Sequence, residues 1–279
     1  MRIDVMKTYK LYINGAFPRS ESGRVYEVKD SKGKFLANPC LASRKDLRDS
    51  VVAARAAQAG WSKATAYNRG QILYRVAEIM EGRREQFAAE IVAMEGVTPK
   101  AALAQVEAAI DTWVWYAGWT DKISAVAGST NPVAGPFYNF TTPEAIGVVA
   151  VFADSKPSLL GLVSAIAPVI ASGNTAVVVA SEKYPLGAIT LSEALATSDL
   201  PAGVINILTG KSSELASWAA SHMDIDAIDA TGLSKKQDVE TRIAGAENLK
   251  RIHTFAEQKS VQRILAFMEN KTVWHPIGV

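Results

Sequence analysis

The sequence predicts an α/β protein built on a parallel sheet with helices on both faces, and three observations predict it. From residue 145 onward, short strand-like runs alternate with helix-like stretches. The runs GVVAVF (147–152), TAVVVA (175–180) and GVINIL (203–208) are mostly apolar and rich in β-branched residues, as strands buried on both faces require. Hydrophobic residues make up 48% of the 279-residue chain, enough for a substantial core. Strands joined by helical crossovers of the usual right hand give a Rossmann-like layout.

Before the alternation begins, residues 9–17 read as strand, turn, strand around Asn14-Gly15, the strongest short hairpin signal. A second strand pair is expected over 25–28 and 35–37. Ser43 is a good helix N-cap, with Asp46 in the first turn. Leu47, Val51, Ala54 and Ala57 repeat at helical spacing up to Gly60. Further helices are expected over 68–81, ending at Gly82, and over 84–94. Thr98-Pro99 caps and opens a long helix to about Gly118, whose Trp113, Trp115, Tyr116 and Trp119 read as packing groups. Residues 121–143 are rich in Gly, Ser, Thr and Pro, with the aromatic insertion Phe137-Tyr138-Asn139-Phe140, and read as an extended β arm. Within the alternating region the helices are expected at 158–171, 185–196, 212–221 and 234–246, and two more strands at 224–230 and 248–255. A helix over 258–269 and a short strand over 271–275 close the pattern.

Composition narrows the function classes. The formal net charge is +2, and the basic pairs Arg83-Arg84, Lys235-Lys236 and Lys250-Arg251 are scattered, so no nucleic-acid footprint is expected. The N-terminal run 1–15 is too polar for a secretory leader. No apolar stretch reaches the roughly 20 residues a membrane helix needs. One cysteine, Cys40, precludes an internal disulfide and fits a cytoplasmic protein. The three histidines, His222, His253 and His275, lack the spacing of a metal site, so no metal is expected.

Dinucleotide chemistry would be signalled by G-x-G-x-x-G after the first sheet strand. That turn reads Ala153-Asp154-Ser155-Lys156-Pro157, with no glycine and one anion. A P-loop and a G-x-S-x-G nucleophile elbow are also missing. Cys40 has no base or cation beside it in sequence and reads as inert.

Several motifs nevertheless resemble the aldehyde dehydrogenase superfamily. They are Ala145-Ile146-Gly147-Val148-Val149, Ala167-Pro168, Ser172-Gly173-Asn174-Thr175, Ser181-Glu182, Pro185-Leu186 and Leu200-Pro201-Ala202-Gly203-Val204-Ile205-Asn206 with Gly210. Upstream, Asn14-Gly15, the Ala53–Ala57 run and Gly60-Trp61 to Arg69 are also similar. Downstream, Thr231-Gly232 and Asn248-Leu249-Lys250-Arg251 follow in the family's order. The resemblance implies a dinucleotide-binding-like domain over 1–120 and 145–258, and an oligomerisation arm over 121–144 and 270–279.

The departures fall on functional positions. Ser155 stands where the family's P-W-N-F-P places its oxyanion asparagine, and losing an oxyanion donor costs on the order of 10²–10³ in rate. In the ribose-binding K-P-S-E stretch Glu182 is kept, while Val179 replaces the lysine. Leu233 replaces the serine of F-T-G-S, where a phosphate would sit. Phe255 takes the position of the general-base glutamate, and Glu257 lies two residues on. The simplest account is that the catalytic domain is missing from the middle while the last strand remains. No residue is therefore assigned a catalytic role, and no cofactor is expected; if one binds, it is NAD or NADP at the remnant Glu182, Thr231 and Gly232. The function these departures imply is a non-catalytic scaffold or regulatory subunit, forming a homodimer or a hetero-oligomer with a full-length aldehyde dehydrogenase. The alternatives are a nucleotide-binding sensor, and an NAD(P)-dependent oxidoreductase active only with a partner.

Overall fold

The computed structural model describes residues 6–278, so the first five residues of the polar N-terminal run and the final Val279 lie outside the described residues. A short strand pair, β1 (Val28–Lys29) and β2 (Phe35–Ala37), precedes four helices: α1 (Arg44–Lys63), α2 (Ala66–Glu81), α3 (Arg84–Glu95) and α4 (Pro99–Ala117). A one-turn helix α5 (Ile123–Ala127) leads into β3 (Ser129–Asn131) and β4 (Phe137–Ala145). The alternating region follows as β5 (Val148–Phe152), α6 (Ser158–Ala171), β6 (Thr175–Val179), α7 (Leu186–Leu195), β7 (Ile205–Leu208), α8 (Ser212–Ser221), β8 (Ala227–Asp229), α9 (Lys235–Ala246) and β9 (Arg251–His253). The short helix α10 (Val261–Leu265) and β10 (Met268–Pro276) complete the fold.

The five strands β5 to β9 form one parallel sheet in the order β7-β6-β5-β8-β9. Alternate residues of β5 serve opposite faces, as the two-residue period of a strand dictates. Val149 and Val151 join the core shared with α2, α3, α4, α6 and α7, whereas Val148, Ala150 and Phe152 join the core shared with α1 and α8. Both faces are thus apolar, which explains the β-branched runs.

Two close approaches hold the strand ends. Gly147 has φ +136°, and a Cβ there would lie 2.0 Å from the Asp226 carboxylate. That carboxylate accepts from Val148 N at 2.7 Å and from the Arg55 guanidinium at 2.6 Å, locking β8 to the start of β5. Gly232 has its would-be Cβ only 2.2 Å from the Ala153 carbonyl, while its N–H donates to Phe152 O at 2.9 Å. Glycine is needed there for strand-to-loop packing.

The arm is a three-stranded antiparallel sheet, β10-β4-β3. All nine residues of β10 pair with β4, from Met268 opposite Ala145 to Pro276 opposite Phe137. Thr141 and Thr272 hydroxyls meet at 2.9 Å, and Phe137 packs edge-on to Trp274 at 5.7 Å. The outer edge of β10 has no strand beside it among the described residues.

Three local expectations differ from the structure. The sequence pattern predicts a hairpin over 9–17, but only Ile13 and Ala16 bridge, because Tyr12 instead pairs with Ile207 at the sheet edge. The helix expected over 258–269 shrinks to Val261–Leu265, and β10 begins at Met268 rather than 271. Strand pairing explains the C-terminal end of the helix: Met268 to Pro276 pair with β4, which takes residues 268–269 out of any helix, while Ser260 caps the start. Finally, residues 123–127 within the expected arm form a helical turn before the strands begin.

What anchors this C-terminal segment is polar and buried. Arg263 Nη2 donates to Asp229 Oδ2 at 2.8 Å, with the two side chains 4% and 0% exposed. Thr231 Oγ1 donates to the other carboxylate oxygen at 2.5 Å. Burial raises the Asp229 carboxyl above the ordinary aspartate value, against the downward pull of Arg263 and Thr231. Asn174, fully buried, donates to Phe267 O and accepts from Gly147 N, both at 2.7 Å. Removing one partner of a buried ion pair costs about 3–5 kcal/mol, because it leaves a charge unanswered. Arg263→Met is therefore expected to lose stability on that order in urea unfolding, and the double variant Asp229→Leu/Arg263→Met to recover most of it.

His253 offers a second check. Its ring lies against Phe255 and edge-on to Phe267, and burial lowers its pKa, with Arg242 and Arg251 adding to the effect and Asp229 opposing it. A histidine whose folded pKa is lowered contributes stability that is full above the unfolded value of about 6.5 and is lost as pH falls through it. The urea midpoint should drop on acidification from neutral pH, and His253→Gln should flatten that dependence.

Candidate functional site

The order of the sheet places a topological switch point between β5 and β8, the position where doubly wound sheets bind ligands beyond the carboxyl ends of their strands. A cleft of about 820 Å³ opens there. Glu182, Thr231 and Gly232, far apart in sequence, all line it, together with Val179, Leu233 and the turn Ala153-Asp154-Ser155. The turn after β6 positions Glu182 with its side chain exposed, and the turn after β8 positions Thr231. Tyr26, from the segment before β1, adds a buried hydroxyl without a hydrogen-bond partner among the described residues. Burial, reinforced by the nearby Glu182 charge, holds that phenol protonated well above its usual value.

Whether the cleft suits a dinucleotide turns on phosphate charge. Helix N-termini at this edge are the natural phosphate seats. The one on α6 is answered from within the protein: Glu95 Oε1 accepts from Ser158 N at 2.9 Å and from Ser158 Oγ at 2.5 Å, and Gln105 Oε1 accepts from Leu159 N at 2.9 Å. At α9 a capping box closes the end, with Gln237 Oε1 accepting from Ser234 N at 3.0 Å and Ser234 Oγ accepting from Gln237 N at 3.3 Å. Leu233 lies at its entrance. The charged lining of the cleft is Glu27, Asp30, Asp154 and Glu182 against Lys29 and Lys183, four anions to two cations. At α6 and α9 the residues present do not suit a diphosphate, because both N-termini are answered from within the protein and acidic side chains outnumber basic ones in the lining; the start of α8, whose Ser212 lines the cleft, has no side-chain cap.

The neighbouring mouth is equally altered. Phe255 N donates to Thr231 Oγ1 at 3.1 Å, and the Arg263 guanidinium lies over the Phe255 ring at 4.5 Å. Arg263 also donates to the Glu257 carbonyl at 3.0 Å, while the Glu257 side chain is exposed. Ser155 is exposed, and its backbone N–H donates to Asp154 Oδ1 at 2.7 Å. Cys40 lies on the sheet face shared with α1 and α8, buried among Leu11, Leu47 and Leu208, and does not line the cleft. Among the described residues no three of His, Cys, Asp and Glu cluster to hold a metal ion, and no helix is long and apolar enough to cross a membrane.

The residues that shape this site most, Glu95, Gln105, Asp229 and Arg263, carry no sequence signal. Glu95 and Gln105 reach α6 from α3 and α4, 63 and 54 residues away from their partners.

Comparison with known proteins points to one family. The sequence pattern of the aldehyde dehydrogenase family matches residues 17–268. Human retinal dehydrogenase 2 is 34% identical over 267 residues, covering 94% of this chain and 51% of its own length. A mitochondrial benzaldehyde dehydrogenase from Antirrhinum majus is 32% identical, covering 86% of this chain and 45% of its own length. Among solved structures, an NAD+ complex of an aldehyde dehydrogenase from Bacillus cereus superposes with a TM-score of 0.83 at 27% identity, over 88% of this chain and 50% of the other. This chain spans about half the length of the curated relatives it matches. With the switch-point sheet, the three-stranded arm and the ordered motifs in place, the chain belongs to the aldehyde dehydrogenase family.

Proposed function

We propose that this chain is a non-catalytic member of its family that works by assembly, as a scaffold or regulatory subunit. One observation carries the reading: two of the helix N-termini at the sheet's carboxyl edge, those of α6 and α9, are already answered by Glu95, Gln105 and the Ser234–Gln237 capping box. Around them, Ser155 and Phe255 stand at the oxyanion and base positions of the resemblance, and the sequence's one thiol is buried elsewhere. Aldehyde oxidation by the family's route needs a thiolate, an oxyanion donor and a base together, and this chain supplies none of them at the cleft.

The partner in this reading is a second copy or a full-length aldehyde dehydrogenase, met through the arm. The open edge of β10, with Val273 and Trp274 exposed, is suited to strand addition. One buried free cysteine is compatible with a cytoplasmic setting. A second reading, a nucleotide-binding sensor, draws support from the convergence of Glu182, Thr231 and Gly232 on one cleft.

Purified protein given NAD or NADP and aromatic or aliphatic aldehydes is expected to produce no reduced nicotinamide; sustained turnover defeats the non-catalytic reading. Calorimetric titration with either dinucleotide should show binding no tighter than about 1 mM, and micromolar binding would favour the sensor. For assembly, Val273→Lys/Trp274→Lys should lower the mass measured by light scattering to that of one chain, and an oligomer that persists in this variant rules out pairing through β10.

A further inference from the structure

On the side of α1 and α8, away from the switch-point cleft, a groove of about 570 Å³ runs between the start of α1 and the end of α8. Its size lies in the range of small-ligand sites. Trp218, 41% exposed, gives it an apolar wall, with the buried Leu47 behind its floor. Arg44 lies over the Trp218 ring with its guanidinium carbon 3.7 Å from the centroid. That stacking presents the edge of the fork, with its N–H groups, to the groove.

The charges in the groove are unequally satisfied. Lys45 pairs with Glu21 at 3.2 Å, and Arg48 pairs with Asp49 at 2.7 Å. The α1 N-terminus is closed by its own capping box of Ser43 and Asp46, so it offers no anion seat. His222 Nδ1 accepts from Asp224 N at 3.2 Å, which puts its proton on Nε2 as a donor. Burial, with the positive charges of Lys250, Arg44 and Arg55, lowers the His222 pKa against the pull of Asp224 and keeps the ring neutral at pH 7. Arg44 alone has neither a carboxylate nor a hydrogen-bond partner among the described residues. One unanswered cation beside an aromatic wall defines the complementary ligand: a flat apolar body carrying a single negative group.

We propose that this groove binds an aromatic monocarboxylate, its carboxylate held in the fork of Arg44 and its ring against the exposed part of Trp218. The electrostatics separate this site from the dinucleotide-like cleft, where anions outnumber cations and an anionic ligand is repelled. The site is independent of the assembly reading, since none of its residues belongs to the arm.

The test is calorimetric titration of the full chain with naphthoate and with its neutral counterpart naphthamide, followed by amide NMR shifts at Arg44, Ser221 and His222. Naphthoate should bind, naphthamide should bind at least about tenfold more weakly, and Arg44→Gln should lose about tenfold or more for naphthoate, the size of one charge-assisted hydrogen bond. Arg44 is exposed, so the variant should keep the wild-type thermal transition. Trp218→Ala should weaken both ligands alike, and Trp218→Phe should restore them. No binding of naphthoate up to several millimolar, equal binding of the amide, or undiminished binding by Arg44→Gln would overturn the proposal.

Discussion

A carboxylate at the carboxyl end of a central, fully buried strand has to be answered, and here Arg263 answers it. The pair does more than cancel charge. It draws residues 255–265 across the switch point, sets Phe255 against Thr231, and delivers Phe267 into the core next to Asn174. β10 then leaves in register with β4. A buried ion pair gains little net stability over an apolar pair of the same volume, but it tolerates only one arrangement. Its contribution here is therefore specificity: it fixes where the C-terminal segment docks, and hence where the arm is closed.

The same logic of internal answering runs along the sheet's carboxyl edge. Helix dipoles and turns at such an edge create a positive region that ordinarily waits for a ligand. In this chain Glu95 occupies one end and Gln237 the other, and the rim adds acidic side chains. At these two helix ends the unpaired N–H groups are answered within the fold. On the opposite flank, Arg44 remains uncompensated beside an exposed indole. The distribution of unmet charge, more than the fold, decides which surface can take an anion.

Much of this architecture was legible beforehand because it follows from local chemistry. The β-branched runs of β5 and β6 and the Ser43 and Thr98 caps sit where periodicity and capping preferences put them, and the bounds of α6 and α8 coincide with those expected. Glu182, Thr231 and Gly232 could be named from the family resemblance alone, and the turns after β6 and β8 bring them to one cleft. What could not be read depends on partners distant in sequence. Nothing near Glu95 says that its carboxylate will cap a helix 63 residues on. Nor does the polar run before Val261 announce that pairing with β4 from Met268 onward will leave a helix of only five residues. Tyr12 likewise forsook a local hairpin for Ile207, because the edge of β7 offered unpaired backbone groups and a core to enter.

The long partnership of β4 with β10 bears on how the chain is made. Thr141 and Thr272 touch across a sequence separation of 131 residues. During synthesis the middle strand of the arm emerges early, while the strand that will cover one of its sides is still untranslated. Until β10 is made, β4 can pair only with β3, and its other backbone edge stays open for the time it takes to add more than 120 residues, roughly the 131 that separate Thr141 from Thr272.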